Sequence, residues 1–132
     1  MPSNANMKNS QQSILEERIK KYESFIHNSR DAILFISCRD GKILEANAAA
    51  VNTYQYSHEE LIAKTIFDLQ APEVREQHMP DMDDASASRL VTETVHMKKS
   101  GERFVVEVNS QGAVIGDEPV LFSIIRDISK RI

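Results

Sequence analysis

The side chains most able to do chemistry in this chain are one cysteine and four histidines, spread over 132 residues. His27, His58 and His96 lie far apart and lack the close Cys/His spacing of a zinc site. Ser57 and His58 are adjacent, so on a helix they cannot face each other as a nucleophile and its base. The sequence therefore predicts neither a metal site nor catalysis, and we expect a protein that is not an enzyme.

The lone cysteine and an acidic run also have simple interpretations. Cys38 has no partner for an internal disulfide, which fits a reducing compartment and predicts a cytoplasmic protein. Asp81, Asp83 and Asp84 resemble a calcium loop only in charge, because the central glycine and the terminal glutamate are missing. We interpret this run as a solvated loop.

Length and charge restrict the class of protein further. A chain of 132 residues is the size of one domain with a single core. Its net charge of -4 gives no electrostatic reason to bind nucleic acid or an anionic membrane. The longest apolar run, residues 32–36, is too short to span a bilayer. We expect no nucleic acid partner and no membrane contact.

The N-terminal region predicts a tail followed by a helix. Residues 1–12 are rich in Ser, Asn and Gln and are expected to be a disordered tail or tag. Residues 13–29 carry apolar side chains spaced four, three and four, as on an amphipathic helix with a heptad seam. This seam could pair with a second copy or fold back on its own domain. It consists of Leu15, Ile19, Tyr22 and Ile26.

The middle of the chain predicts a hairpin and then short helices. Residues 32–38 and 42–45 are strand-like and flank a turn in which Gly41 can take a positive φ. Asn47 can cap a helix that follows it, and Ser57 and Glu60 have the spacing of a capping box. Pro72 is expected to open a further helix that runs to Pro80.

Three more strands are predicted at residues 90–98, 104–109 and 120–126, separated by glycine-containing turns. In the first of them, Val91 and Val95 lie on one face and Thr92 and His96 on the other. The whole order predicts an α+β fold, with one five-stranded antiparallel sheet and short helices on one face.

Five segments in this order resemble a PAS domain of the sensory-box (PAS/PAC) type found in bacterial signal-transduction proteins. The resemblance covers residues 22–132, with the domain proper at 30–132. The segments are DAIL (31–34), DGKILEAN (40–47), YSHEELI (56–62), KKSGERF (98–104) and RDISKR (126–131).

The resemblance implies a sensor that relays a signal. A ligand or partner would bias the packing of the sheet and helices, and Asp127, Ile128 and Ser129 would pass the change to a following helix. That helix would lead to a covalently linked output module, such as the histidine kinase of a two-component system or a diguanylate cyclase, a cyclic-dinucleotide synthase. We expect this chain to be an excised sensor domain that forms a homodimer. The alternative is a ligand-free dimerisation module.

A half-open sheet covered by short helices also implies a ligand pocket, which the same side chains could instead fill. Few polar groups are present among the candidates, so any ligand should be small and mostly apolar. The residues expected to face the pocket are Phe35, Val51, Tyr54, Phe67, Met79, Val91, Val106 and Ile124.

Two cofactors used elsewhere in the family were considered. His78 follows a Leu-x-x-Pro segment, as an axial haem ligand does in the haem-binding branch, which would make a gas sensor. Pro80 would cut the supporting helix, and Thr92 stands where oxygen sensors place an arginine. Cys38 ends a strand, whereas the photoreactive flavin cysteine lies on a helix. We expect neither haem nor flavin.

Overall fold

The computed structural model describes residues 4–79 and 89–129. Its five strands form one antiparallel sheet in the order β2-β1-β5-β4-β3, with short helices between β2 and β3, which confirms the predicted α+β fold. The elements are α1 (Asn4–His27), β1 (Ala32–Ser37), β2 (Ile43–Ala46), α2 (Ala48–Tyr54), α3 (His58–Ile62), α4 (Ile66–Leu69), a 3₁₀ helix (Pro72–Val74), β3 (Arg89–Met97), β4 (Arg103–Ile115) and β5 (Glu118–Asp127).

Asn47 joins three parts of the fold through one buried amide. Its Oδ1 accepts from the N–H of Ala50, which caps α2 as predicted, and from the N–H of Ile33 in β1. Its Nδ2 donates to the carbonyl oxygens of Ile26 and Asp31, at the end of α1 and the entry to β1. All of the amide's hydrogen-bonding capacity therefore holds α1, β1 and α2 together.

Local sequence signals position the other short helices. Ser57 and Glu60 form the predicted capping box at the start of α3. The carboxylate of Asp68 accepts from the backbone N–H of Thr65 at 2.9 Å, a bond that the sequence analysis did not anticipate and that starts α4. These caps satisfy backbone donors that such short helices would otherwise leave open.

Three boundaries differ from the expectation. α1 begins at Asn4, which is earlier than the helix start expected at residue 13. The helix expected from Pro72 to Pro80 is only the 3₁₀ turn Pro72–Val74, which ends at Arg75 in an extended conformation. β4 continues to Ile115, since β5 pairs with it along its whole second half. Residues 80–88, which include the acidic run, lie outside the described residues.

The hydrophobic core lies between α2–α4 and one face of the sheet, which we call the inner face. Its largest fully buried side chains include Tyr54, Leu34, Leu61 and Leu69. β3 turns the face with Thr92 and His96 inward, together with Leu90. Val91 points outward. Within the described residues, no helix is long and apolar enough to cross a membrane.

Candidate functional site

A cavity of about 140 Å³ lies between the inner face of the sheet and residues 66–79. An engineered apolar cavity of roughly 150 Å³ can hold benzene, so this space suits a molecule of a few heavy atoms. Its lining is mostly aliphatic and aromatic, with a few polar side chains. The lining residues are Ile36, Ile66, Phe67, Gln70, Glu76, Met79, Leu90, Thr92, Val108, Ser110, Leu121 and Ser123.

Gln70 forms part of the wall opposite the sheet. Its backbone bridges to His96 in β3, and the next residue, Ala71, donates its N–H to the carbonyl of Val95 at 2.9 Å. The side-chain Oε1 accepts from the N–H of Glu76 at 2.7 Å. Because a backbone N–H can only donate, this bond assigns the amide orientation and directs the Nε2 group away from Glu76.

Two serines form the polar part of the cavity floor. Ser110 on β4 and Ser123 on β5 are cross-strand partners, both are buried, and their hydroxyl oxygens lie 2.7 Å apart. A serine in the almost continuously apolar β5 is the sequence signal that could have identified this feature, since a buried hydroxyl needs a partner.

The aromatic wall is fixed by a glycine. Gly41 has φ 75°, as the predicted turn requires, and a Cβ added there would lie 2.7 Å from Phe67 Cε2. Only glycine therefore allows Phe67 to reach this position over the cavity.

The residues expected to line the pocket fall into three groups. Phe67 and Met79 line the cavity. Val51, Tyr54 and Val106 pack in the filled core beside it. The other three lie on the outer face: Phe35 packs edge to face with Phe122, strand alternation places Ile124 on the same side as Phe122, and Val91 is 56% exposed. The pairing register of a strand decides which of its faces points to the core. The register in the structure places these three side chains on the outer face.

The outer face carries a second, larger cavity of about 390 Å³ beside the end of α1. It is lined by Ile26 and Phe35 together with three titratable groups, Glu23, His27 and Glu45. Burial raises the pKa of Glu45, but hydrogen bonds from His58 and from the Ala46 N–H outweigh it and lower that pKa. This charged groove does not fit the small apolar ligand expected from the sequence.

The filled end of the inner face contains a buried polar pair. Tyr54 Oη and His96 Nδ1 lie 2.6 Å apart and share a hydrogen bond, and the ring of Phe104 packs against both. Burial raises the pKa of Tyr54 and lowers the pKa of His96 to about 4, so both side chains are neutral near pH 7.

The residues considered for cofactors lie apart from the cavity. His78 is exposed and does not line the cavity of about 140 Å³. Cys38 is a half-buried free thiol whose pKa is raised by burial. The described ranges contain no group of three or more His, Cys, Asp or Glu side chains that could hold a metal.

The expected signal exit is bonded to the start of β4. Ile128 donates its N–H to the carbonyl of Val105 at 2.9 Å, and Ser129 Oγ accepts from the Val105 N–H at 3.0 Å. The N–H of Ser129 in turn donates to the carboxylate of Asp127. The hydroxyl oxygen of Ser129 is thus bonded to β4, and the helix expected to follow the exit falls on residues outside the described ranges.

The seam on α1 is divided between the domain and solvent. Ile26 lines the outer groove, whereas Leu15, Ile19 and Tyr22 are 58%, 47% and 63% exposed. Ile14 and Phe25 on the neighbouring side of the helix are exposed as well. In this single chain the seam therefore remains uncovered over most of its length.

Comparisons with known proteins agree on the fold. Residues 30–130 match the family model described as PAS domain. A PAS domain of an HTR-like protein from Haloarcula marismortui is 23% identical with a TM-score of 0.75, covering 91% of this chain and 99% of that one. A PAS domain from a two-component sensor histidine kinase is 18% identical with a TM-score of 0.72, covering 85% and 97%.

A third solved structure is a domain of a sensory box sensor histidine kinase/response regulator from Geobacter sulfurreducens. It is 19% identical with a TM-score of 0.65, covering 86% of this chain and 96% of that one. No curated protein matches the chain.

Proposed function

The chain belongs to the PAS domain family, and on this basis we propose that it is a sensor that binds a small, mostly apolar ligand. The bound ligand shifts the packing of the sheet against residues 66–79, and the exit Asp127–Ser129 passes this shift to a linked output module, a kinase or a cyclic-dinucleotide synthase. The free thiol of Cys38 fits a reducing, cytoplasmic compartment. PAS domains of this kind are sensory modules of sensor kinases, so the chemistry belongs to the output module.

The cavity is the observation that carries this proposal. Protein interiors are normally packed with few voids larger than a water molecule. Here a space of about 140 Å³ borders Phe67, Met79 and Leu90, whereas the core a few residues away is filled. A ligand that prefers one packing of these walls changes the populations of the two states, which a sensor requires.

A chain of contacts supports relay from the cavity to the exit. Glu73 lies three residues before the lining residue Glu76. Its carboxylate accepts two hydrogen bonds from the guanidinium of Arg103, at 2.6 and 3.1 Å. Arg103 begins β4, and Val105 two residues later holds Ile128. Movement of residues 70–79 is therefore transmitted to the strand that anchors the exit.

Native mass spectrometry of the purified chain tests the ligand. We expect a fraction of the protein to retain a small-molecule mass, and Val108→Phe, which fills the cavity from the sheet side, to lose that mass. Val91→Phe is the matched control, because Val91 lies on the opposite, exposed face of the sheet. Ligand-free protein from several growth conditions, or equal retention by Val108→Phe, would contradict the proposal.

The alternative function, a dimerisation module, is favoured by the exposed seam on α1. Apolar side chains repeated every three and four residues stabilise a helix pair when a second copy covers them. We expect the chain to be dimeric and the double variant Ile19→Asp, Tyr22→Asp to sediment as a monomer. The double variant Ser13→Asp, Lys20→Asp, on the other side of the helix, should remain dimeric. A dimer that survives the first pair of changes would show that the seam does not pair.

A further inference from the structure

The polar side chains of the cavity restrict which ligand it can take, and this inference rests on the proposed sensor function. Two hydroxyls contain two O–H donors, and the Ser110–Ser123 bond uses one of them. Within the described residues the other O–H has no acceptor. Both serines line the cavity, and Ser110 keeps a small exposed fraction, so the O–H that is not used in the serine pair can point into this space from Ser110.

Gln70 offers a second donor to the same space. Its Oε1 is already bonded to the Glu76 N–H, and in residues 4–79 and 89–129 its Nε2 group meets no acceptor. Gln70 lines the cavity, and because no buried side-chain nitrogen or oxygen in the described residues lacks a hydrogen-bond partner, its unbonded Nε2 group is accessible from that space. The wall and the floor of one small cavity therefore both present donors.

The charges around the cavity exclude two classes of ligand. A cation could pair with the carboxylate of Glu76, but it brings no acceptor for the serine and glutamine donors. An anion would lose its hydration, and the lining residues given above include the carboxylate of Glu76 and no positive side chain to compensate. Water could bond the donors but could not fill the part lined by Phe67 and Leu90, because a buried water needs two to four polar partners.

We propose that the cavity selects a small neutral molecule with an apolar body and one acceptor oxygen, such as a ketone or an aldehyde, held by the Ser110–Ser123 pair and the amide of Gln70. The acceptor oxygen takes the donors that the protein leaves open. The apolar body contacts the aromatic and aliphatic walls.

The test compares two probes that differ only in the acceptor. Cyclopentanone and methylenecyclopentane have the same ring, and only the ketone accepts a hydrogen bond. Each is titrated into the full chain, with the dissociation constant taken from NMR shifts of the Met79 and Leu90 methyl groups. In the double variant Ser110→Ala, Ser123→Ala we expect the ratio of the two constants to move about tenfold towards the hydrocarbon, as one lost hydrogen bond predicts.

The double variant removes both partners of the serine bond together, so it leaves no orphaned hydroxyl and should fold. Ser37→Ala, a buried serine in β1 that does not line the cavity, is the matched control and should keep the ratio. An unchanged ratio in the double variant, or tighter binding of cyclopentanecarboxylate than of cyclopentanone, overturns the ligand class. Shifts by the hydrocarbon alone would then still support a sensor cavity. Failure of both neutral probes overturns the inference, and native mass spectrometry decides the proposed function separately.

Discussion

At one end of the inner sheet face, Tyr54, His96 and Phe104 fill the space beneath α2, and their polar atoms bond to each other. At the other end, Ser110 and Ser123 border a cavity, and their mutual hydrogen bond uses only one of their two O–H groups. The two ends share β4 and β5 and are joined by the backbone bridge between Gln70 and His96. The same strands are thus closed by packed side chains at one end and leave a cavity at the other.

The largest expected effect on the unfolding free energy comes from protonation of His96, at the filled end. The pKa of His96 is lowered from its ordinary 6.5 to about 4 by burial, so below pH 6.5 the unfolded chain binds a proton that the folded chain does not. The unfolding free energy should therefore fall as pH drops from about 6.5 to about 4, by roughly 3 kcal/mol from this group. Urea unfolding between pH 8 and pH 4 measures the slope.

Two variants isolate this contribution. His96→Gln should remove most of the slope between pH 6.5 and pH 5, whereas His78→Gln, at an exposed histidine, should keep it. The lowered carboxylate pKa values of Glu45, Glu60 and Glu73 act below about pH 4.5, outside that window. A slope unaffected by His96→Gln would mean that the filled end is not closed to water.

A smaller effect compares the two ends with the same deletion. Val106 is fully buried in the filled core, and Val108, two residues later on the same strand, borders the cavity. Val106→Ala should lower the unfolding free energy by about 2 kcal/mol, from lost burial and the void left behind. Val108→Ala should cost under about 1 kcal/mol, because its side chain already faces open space. Equal costs by urea unfolding would show that the two ends are packed alike.

The smallest effect on stability, and the most local, concerns the link from the cavity wall to the exit. Glu73 and Arg103 are about half exposed, so Glu73→Gln should hardly change the unfolding free energy. It should raise the hydrogen-exchange rate of the Ile128 amide several-fold, since the start of β4 becomes freer to open. Glu102→Gln breaks the neighbouring Lys98 pair without touching the cavity wall and is the control. Equal exchange in both variants would remove this link from the proposed relay.

Much of the fold followed from local patterns in the sequence. The five strands, the cap at Asn47, the capping box at Ser57 and the positive φ at Gly41 were predicted and are present. Each depends on a few neighbouring residues and the hydrogen bonds they make, so the chain carries the information locally. The short helix α4 and the early end of the helix after Pro72 were missed, because their signals are weak over three or four residues.

The site was predicted much less well. Alternation shows that a strand has two faces but not which face is buried, and β3 presents Thr92 and His96 inward instead of Val91. A polar side chain is favourable in a core only when it has a hydrogen-bond partner, and the partners of Ser123 and His96 lie on other elements. The donors that define the cavity were therefore not visible in the sequence.

The sequence by itself determined the family, the order of the elements and the caps that start the helices, because these depend on residue types at short spacing. Only the tertiary structure decided which faces turn inward, where the core stays unfilled and which buried polar side chains bond to each other. The physical reason is that packing and hydrogen-bond partners are properties of residues far apart in the chain: Ser110 meets Ser123 across two strands, and Tyr54 meets His96 across the core.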